Sequence, residues 1–235
     1  MRAQAIIAAS ALAAGVAHAD VITFEGLSHG EVVTNQYSQM GISISAINFN
    51  KPFDAAVAFD TNRIGTADPD LEFSARAMGN LDDRSGNVLI IQENDAGLIG
   101  GMATNPDDEA MRAAGQIVIE FAFDLRSFGF DVLDLDDTTL EATSVQFFAG
   151  NSLVAEYEFA DFADDPIRYA GVAFGDRSAN RIDPLGSETA FNKVVFNVGG
   201  SMAFDSFNYT VVPAPSALMA LAGLGLVSGR RRRSA

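Results

Sequence analysis

The chain has 235 residues, with 15 Lys and Arg against 31 Asp and Glu, two His, no Cys and no Trp. Five of the basic residues are Arg2 and Arg230 to Arg233, so the segment 20–212 keeps ten basic groups against all 31 acids and carries −21, beyond the −16 of the whole chain. Such a body repels phosphate backbones and anionic lipid, which argues against nucleic acid as a partner. The missing cysteines remove disulfides, thiolate zinc sites and thiol nucleophiles.

The chain opens with Met1-Arg2, an apolar stretch from Ala5 to Val16, and Ala17-His18-Ala19 before Asp20. A positive start, a short apolar region and a small-x-small site predict a secretory signal helix cut after Ala19, flanked by the recognition residues Ala17 and Ala19. That leaves His29 as the single histidine of the body. It lies between Ser28 and Gly30 without a nucleophile-elbow context, so it reads as a loop residue.

From residue 20 to 212, short β-rich runs follow one another: 21–24, 40–47, 56–59, 87–93, 116–123, 127–135, 143–149, 152–159, 169–174, 191–198 and 202–211. Some alternate strictly. Ile117, Ile119, Phe121 and Phe123 fall on one face of their run, and Phe128, Phe130 and Val132 on one face of the next. Turn signals separate the runs at Gly150-Asn151, 176–180 and Gly199-Gly200. With 48% apolar residues and 18 Phe to fill a core, the body predicts one all-β domain, a two-sheet antiparallel sandwich of jelly-roll type. One surface helix is expected over 106–114. Asn105 suits its N-cap, Pro106 its first position, Asp107, Asp108 and Glu109 its positive end, and Gly115 its stop.

After the last run come Pro213 and Pro215, an apolar segment from Ala217 to Val227, and Arg230, Arg231, Arg232 and Arg233. At about 1.5 Å per residue this segment covers about 17 Å of a hydrocarbon core roughly 30 Å thick. It predicts a short apolar helix that inserts transiently, with the arginines held on the cytoplasmic side. Val212-Pro213-Ala214-Pro215-Ser216, the apolar segment and the arginine block together resemble the PEP-CTERM sorting signal of Gram-negative bacteria in its V-P-x-P-x variant, with Ala214 where that signal usually has Glu. The resemblance implies an exported protein, processing by an exosortase, and a place at the cell surface or in an extracellular polysaccharide and biofilm matrix. Phe59-Asp60-Thr61, Asp68-Pro69-Asp70-Leu71 and the 86–93 run are similar to stretches that recur in such ectodomains.

The acids are the candidates for chemistry. Glu25 and Asp205 each sit in an apolar strand pattern near one end of the body. First and last strands of a sandwich commonly meet, and two carboxylates brought together repel unless a cation bridges them. The pair resembles galactose-binding-like and MAM-like jelly rolls, where an early Phe-Glu and a late Asp hold a structural calcium ion. Asp60, with Asp68 and Asp70 flanking Pro69, forms a second hard-oxygen cluster. The run Asp131, Asp134, Asp136, Asp137 and Glu141 lacks EF-hand spacing and reads as the polar face of a strand entering a turn. Calcium is the cation that oxygen ligands favour where Cys and His are absent.

Two functions are weighed on this basis. One is a non-catalytic, calcium-stabilised surface or matrix protein with glycan contacts through Tyr37, Tyr157 or Tyr169. The other is a secreted carboxylate-dependent polysaccharide hydrolase, which needs two acids at a defined separation. No motif selects such a pair.

Overall fold

The computed structural model describes residues 19–72, 86–93, 97–108, 111–135, 137–138, 140–162, 169–171, 174–175 and 177–213, with the backbone alone at 169–171. The strands, in chain order, are β1 (Ala19–Ile22), β2 (Ile42–Asn48), β3 (Ala56–Asp60), β4 (Asn87–Ile91), β5 (Leu98–Ile99), β6 (Met102–Ala103), β7 (Gly115–Leu133), β8 (Ser144–Ala149), β9 (Ser152–Glu158), β10 (Tyr169–Gly171), β11 (Ala179–Val198) and β12 (Ala203–Val211). All their pairings are antiparallel.

Two layers arise because β7 and β11 are long enough to serve both. The first half of β7 pairs with β2 on one side and with the last half of β11 on the other, and β8 and β9 extend that layer. The second half of β7 pairs with β12 and with the first half of β11. Beyond β12 lie β1, β4 and β3, and beyond β11 lies β10. The changeover in β11 falls at register shifts between Ile182 and Lys193, a stretch that contains Pro184 and Gly186. Bulges and a proline are what bend a strand from one sheet to another.

The inward faces follow the period of two. Ile42, Ile44 and Ala46 of β2 and Ile117, Ile119 and Phe121 of β7 are buried, and twelve of the 18 Phe are buried among the described residues. Phe196 is central: its ring lies 4.8 Å from that of Phe130 and 4.3 Å from that of Phe204. A second, smaller apolar cluster lies on the outer face of the β3–β4–β12–β7 layer. Val57, Phe59, Val88, Ile90, Leu133 and Ala203 pack there with Leu71, from a loop segment, and Ala103, from the short strand β6, both drawn across the sheet.

Two expectations need correction here. Residues 106–108 and 111–114 are not helical, and the described residues contain no α-helix, only short 3-10 turns at Ser38–Met40 and Phe159–Phe162. Local capping signals favoured a helix, but Asp108 is buried and Ala114 packs in the core, so tertiary burial overrode them. The predicted signal helix, with its apolar run from Ala5 to Val16, and the predicted tail helix from Ala217 to Val227 lie outside the described residues. The transient membrane insertion expected of the tail is not carried further: among the described residues no helix is long and apolar enough to cross a membrane. The exosortase and polysaccharide partners inferred from that tail have no support among the described residues.

Candidate functional site

At the end of the sandwich where β7 finishes and β11 and β12 begin, the two covering segments, 61–72 and 101–108, meet the strand ends. Buried loop backbone must find hydrogen-bond partners, and here acidic side chains supply them. Asp68 Oδ1 accepts from the amides of Asp70 and Leu71, both at 3.1 Å. The Thr66 amide donates to Glu72 Oε1 at 2.8 Å, and the Thr66 hydroxyl lies 2.7 Å from the Asp68 carbonyl and 3.0 Å from Glu72 Oε1. The Thr66 bonds hold the Glu72 carboxyl below the usual range.

Three aspartates converge from separate segments. Asp68, Asp108 and Asp134 are 1%, 2% and 3% exposed, values that carboxylates reach only when paired, protonated or bound to a cation. Asp134 follows β7 in a left-handed conformation, φ 60°, and its Oδ1 accepts the Arg177 amide. Ser201, just before β12, places its hydroxyl 3.0 Å from Asp108 Oδ1 and 3.3 Å from Asp134 Oδ2. One hydroxyl proton serves one of these acceptors at a time. Asp108 is in hydrogen-bonding contact with Asp68, yet Oδ2 of each has no donor. Burial pushes the Asp108 carboxyl well above the usual range; Asp68 and then Asp134 add to this, and the Ser201 bond opposes it. Two carboxylates in contact away from water need either a proton or a cation between them. At the rim, the Arg177 guanidinium ties to Asp70 Oδ1 at 2.8 Å and 2.6 Å.

The other expected ligands are placed differently. β1 does pair with β12, with Ile22 opposite Phe207, so the first and last strands meet as the sequence suggested. Glu25 is exposed, and its Oε1 accepts the Asn87 amide at 3.2 Å. A side chain at Gly86, φ 139°, would collide with that carboxylate. Asp205 pairs across the ladder with Asp131, whose carboxylate takes the Arg181 guanidinium at 2.8 Å and 2.9 Å. Asp205 Oδ1 is buried without a partner, and its carboxyl is pushed up to about 7, chiefly by burial. Asp131 and Glu25 add to that shift and the Ser206 bonds oppose it, so Glu25 and Asp205 share an electrostatic neighbourhood rather than a bridging contact. Asp60 is spent on its own turn, accepting the Asn62 amide at 3.0 Å with Arg63 at 3.8 Å. His29 Nδ1 accepts the Asp60 amide at 3.0 Å beside Phe59, and burial lowers its pKa. Pro213 is exposed and Ala19 opens β1, whereas Ala17, Pro215 and Arg230 to Arg233 lie outside the described residues.

Of the five predicted ligands, the junction thus takes Asp68 inside and Asp70 at its rim. It adds Asp108, Asp134 and Ser201, which the sequence reading assigned to a helix start, a strand face and no role. Nothing local marks them, because their meeting depends on loops that cross the sheet. Among the described residues, no group of three or more His, Asp or Glu forms a ready-made ion cage. What stands here is an opposed pair, a third carboxylate nearby and a shared hydroxyl.

A cavity of about 800 Å³ lies elsewhere, between β9 and the bent middle of β11, lined by Arg126, Tyr157, Pro184, Ser187, Glu188 and Thr189 among others. Glu188 is the single carboxylate of its lining, and the Tyr157 hydroxyl donates to the Gly186 carbonyl.

Fold and junction together define a two-sheet antiparallel β-sandwich with an acid-pinned loop layer. No protein-family model matches the chain, and neither does any curated protein sequence. Among solved structures, the K2 cleaved adhesin domain of Lys-gingipain is similar at 13% identity, with 82% of this chain and 99% of that chain covered and a TM-score of 0.40.

Proposed function

We propose that the chain is an exported, non-catalytic β-sandwich module of the V-P-x-P-tailed class. Its buried acids anchor loops and strands instead of performing chemistry. The observation that carries this reading is how the buried acids are used. Asp131 is tied to Arg181, Glu141 to Arg112 at 3.0 Å, and Asp68 to its own turn, each joining segments distant in sequence or closing a loop. Glycoside hydrolysis needs two carboxyls facing each other across a bond, about 5–9.5 Å apart. The cavity between β9 and β11 offers Glu188 alone.

Support for export comes from the sequence motifs Ala17-His18-Ala19 and Val212-Pro213-Ala214-Pro215, which flank the sandwich. β1 begins at Ala19, and the Val212 amide makes a last bond to the Asp124 carbonyl at 2.8 Å before the exposed Pro213. Cutting after Ala19 removes one rung of the β1–β12 ladder. The test is incubation of the purified full chain with a panel of neutral and acidic polysaccharides. No reducing ends above the buffer blank are expected. Release that disappears in Glu188→Gln would replace this reading with the hydrolase.

A further inference from the structure

The Asp68–Asp108 pair is the place where the fold leaves chemistry unfinished. Both carboxylates are almost fully buried, they touch, and each keeps an oxygen with no donor. Asp134 adds a third buried charge through the shared Ser201 hydroxyl. Arg177 directs its guanidinium to Asp70 at the rim and offers the interior its backbone amide. A single proton shared between Asp68 and Asp108 would leave one carboxylate of that pair charged. A divalent cation would satisfy both orphaned oxygens and the charges of the pair.

We infer that the junction is a calcium site in which Asp68 Oδ2 and Asp108 Oδ2 ligate the ion directly, with Asp134 and Ser201 beside it. Calcium takes six to eight oxygens and accepts water among them, so two carboxylates and a hydroxyl suffice as the protein's share. The ion would join segments 61–72 and 101–108 to the ends of β7 and β12, serving as the cross-link that a chain without cysteine lacks. This site is separate from the Glu25–Asp205 pairing. It deepens the non-catalytic reading by giving the buried acids a ligand.

The experiment is a calcium titration of the chelator-stripped full chain, by calorimetry and thermal melting, on the parent, Asp108→Asn and Glu25→Gln. The expected result is binding with a Kd of roughly 0.1–1 mM, the range of extracellular modules, and a calcium-dependent rise in Tm. Asp108→Asn should weaken binding by about tenfold or more, since it removes a charged ligand. In chelator the same variant should melt no lower than the parent, because it deletes one of two opposed buried charges. Glu25→Gln should bind as the parent does. Equal melting of the parent in calcium and chelator would overturn the site and identify the pair as proton-sharing. Full binding by Asp108→Asn would overturn it as well. Neither failure bears on the non-catalytic reading, which stands or falls on sugar release.

Discussion

A single buried carboxyl shows how the acidic composition acts on stability. Asp205 faces Asp131 across the β7–β12 ladder, and its carboxyl is pushed up to about 7, mainly by burial. Between roughly pH 4 and 7 the folded chain keeps this proton while the unfolded chain has released it, so the unfolded state binds fewer protons. The associated stability is therefore complete at the acid end of that window and is lost as pH rises through about 7. Asp205→Asn mimics the protonated form. In chelator it should melt above the parent at about pH 8, with the gap closing toward about pH 4, and thermal melts across that range measure it. A gap of the same size at both ends would mean that Asp205 is not held protonated. Tyr37 shows the same field from another side. Its hydroxyl donates to the Thr23 carbonyl at 2.8 Å, and its pKa is raised to about 12 by burial and then by Asp205, Glu31 and Glu25. This tyrosine, considered for glycan contact, is held within the fold.

The elements that carry the architecture are β7 and β11, because each crosses from one layer to the other. Phe196 of β11 packs against Phe130 of β7 and Phe204 of β12, so it ties the two layers where those strands diverge. Phe196→Ala should cost about 3–5 kcal/mol, the usual range for emptying a buried aromatic site; denaturant unfolding measures it, with a loss below about 1 kcal/mol contradicting its central place. Much of this was legible in the sequence. The alternation of Ile117, Ile119 and Phe121 and of Phe128, Phe130 and Val132 marked the buried face of β7. Gly150 with Asn151 and Gly199 with Gly200 marked turns that are present. The continuity of the long strands was hidden: β7 reads as two runs because the inward set changes parity where the strand bends. β11 reads as broken because Pro184 and Gly186 resemble a turn. The expected helix at 106–114 failed for a related reason. Asp107 and Asp108 suit a helix start by charge, but whether an acid faces solvent or a partner from another loop is a long-range property.

At the scale of the whole molecule, the −21 carried by residues 20–212 divides into an outer, solvating share and a small buried share that fixes the loop layer. The buried share is costly wherever it is incompletely satisfied, and Asp68 and Asp108 are the clearest such case. Without disulfides, the segments that cover the outer face of the β3–β4–β12–β7 layer rely on Leu71, Ala103 and these carboxylates. Binding to the folded state alone stabilises it by mass action: calcium at about ten times its Kd contributes about 1.4 kcal/mol. That gain should appear in the loop layer as suppressed local opening, besides the global gain that every core amide shares. Hydrogen exchange of the full chain in millimolar calcium and in chelator tests this most directly. The account predicts slower exchange with calcium for the amides of 66–72 and 102–108 under native conditions, with core amides of β7 and β11 slowed only to the extent of the global stabilisation. Identical exchange in both conditions, or slowing of the β7 and β11 amides with none at 66–72 and 102–108, would contradict it.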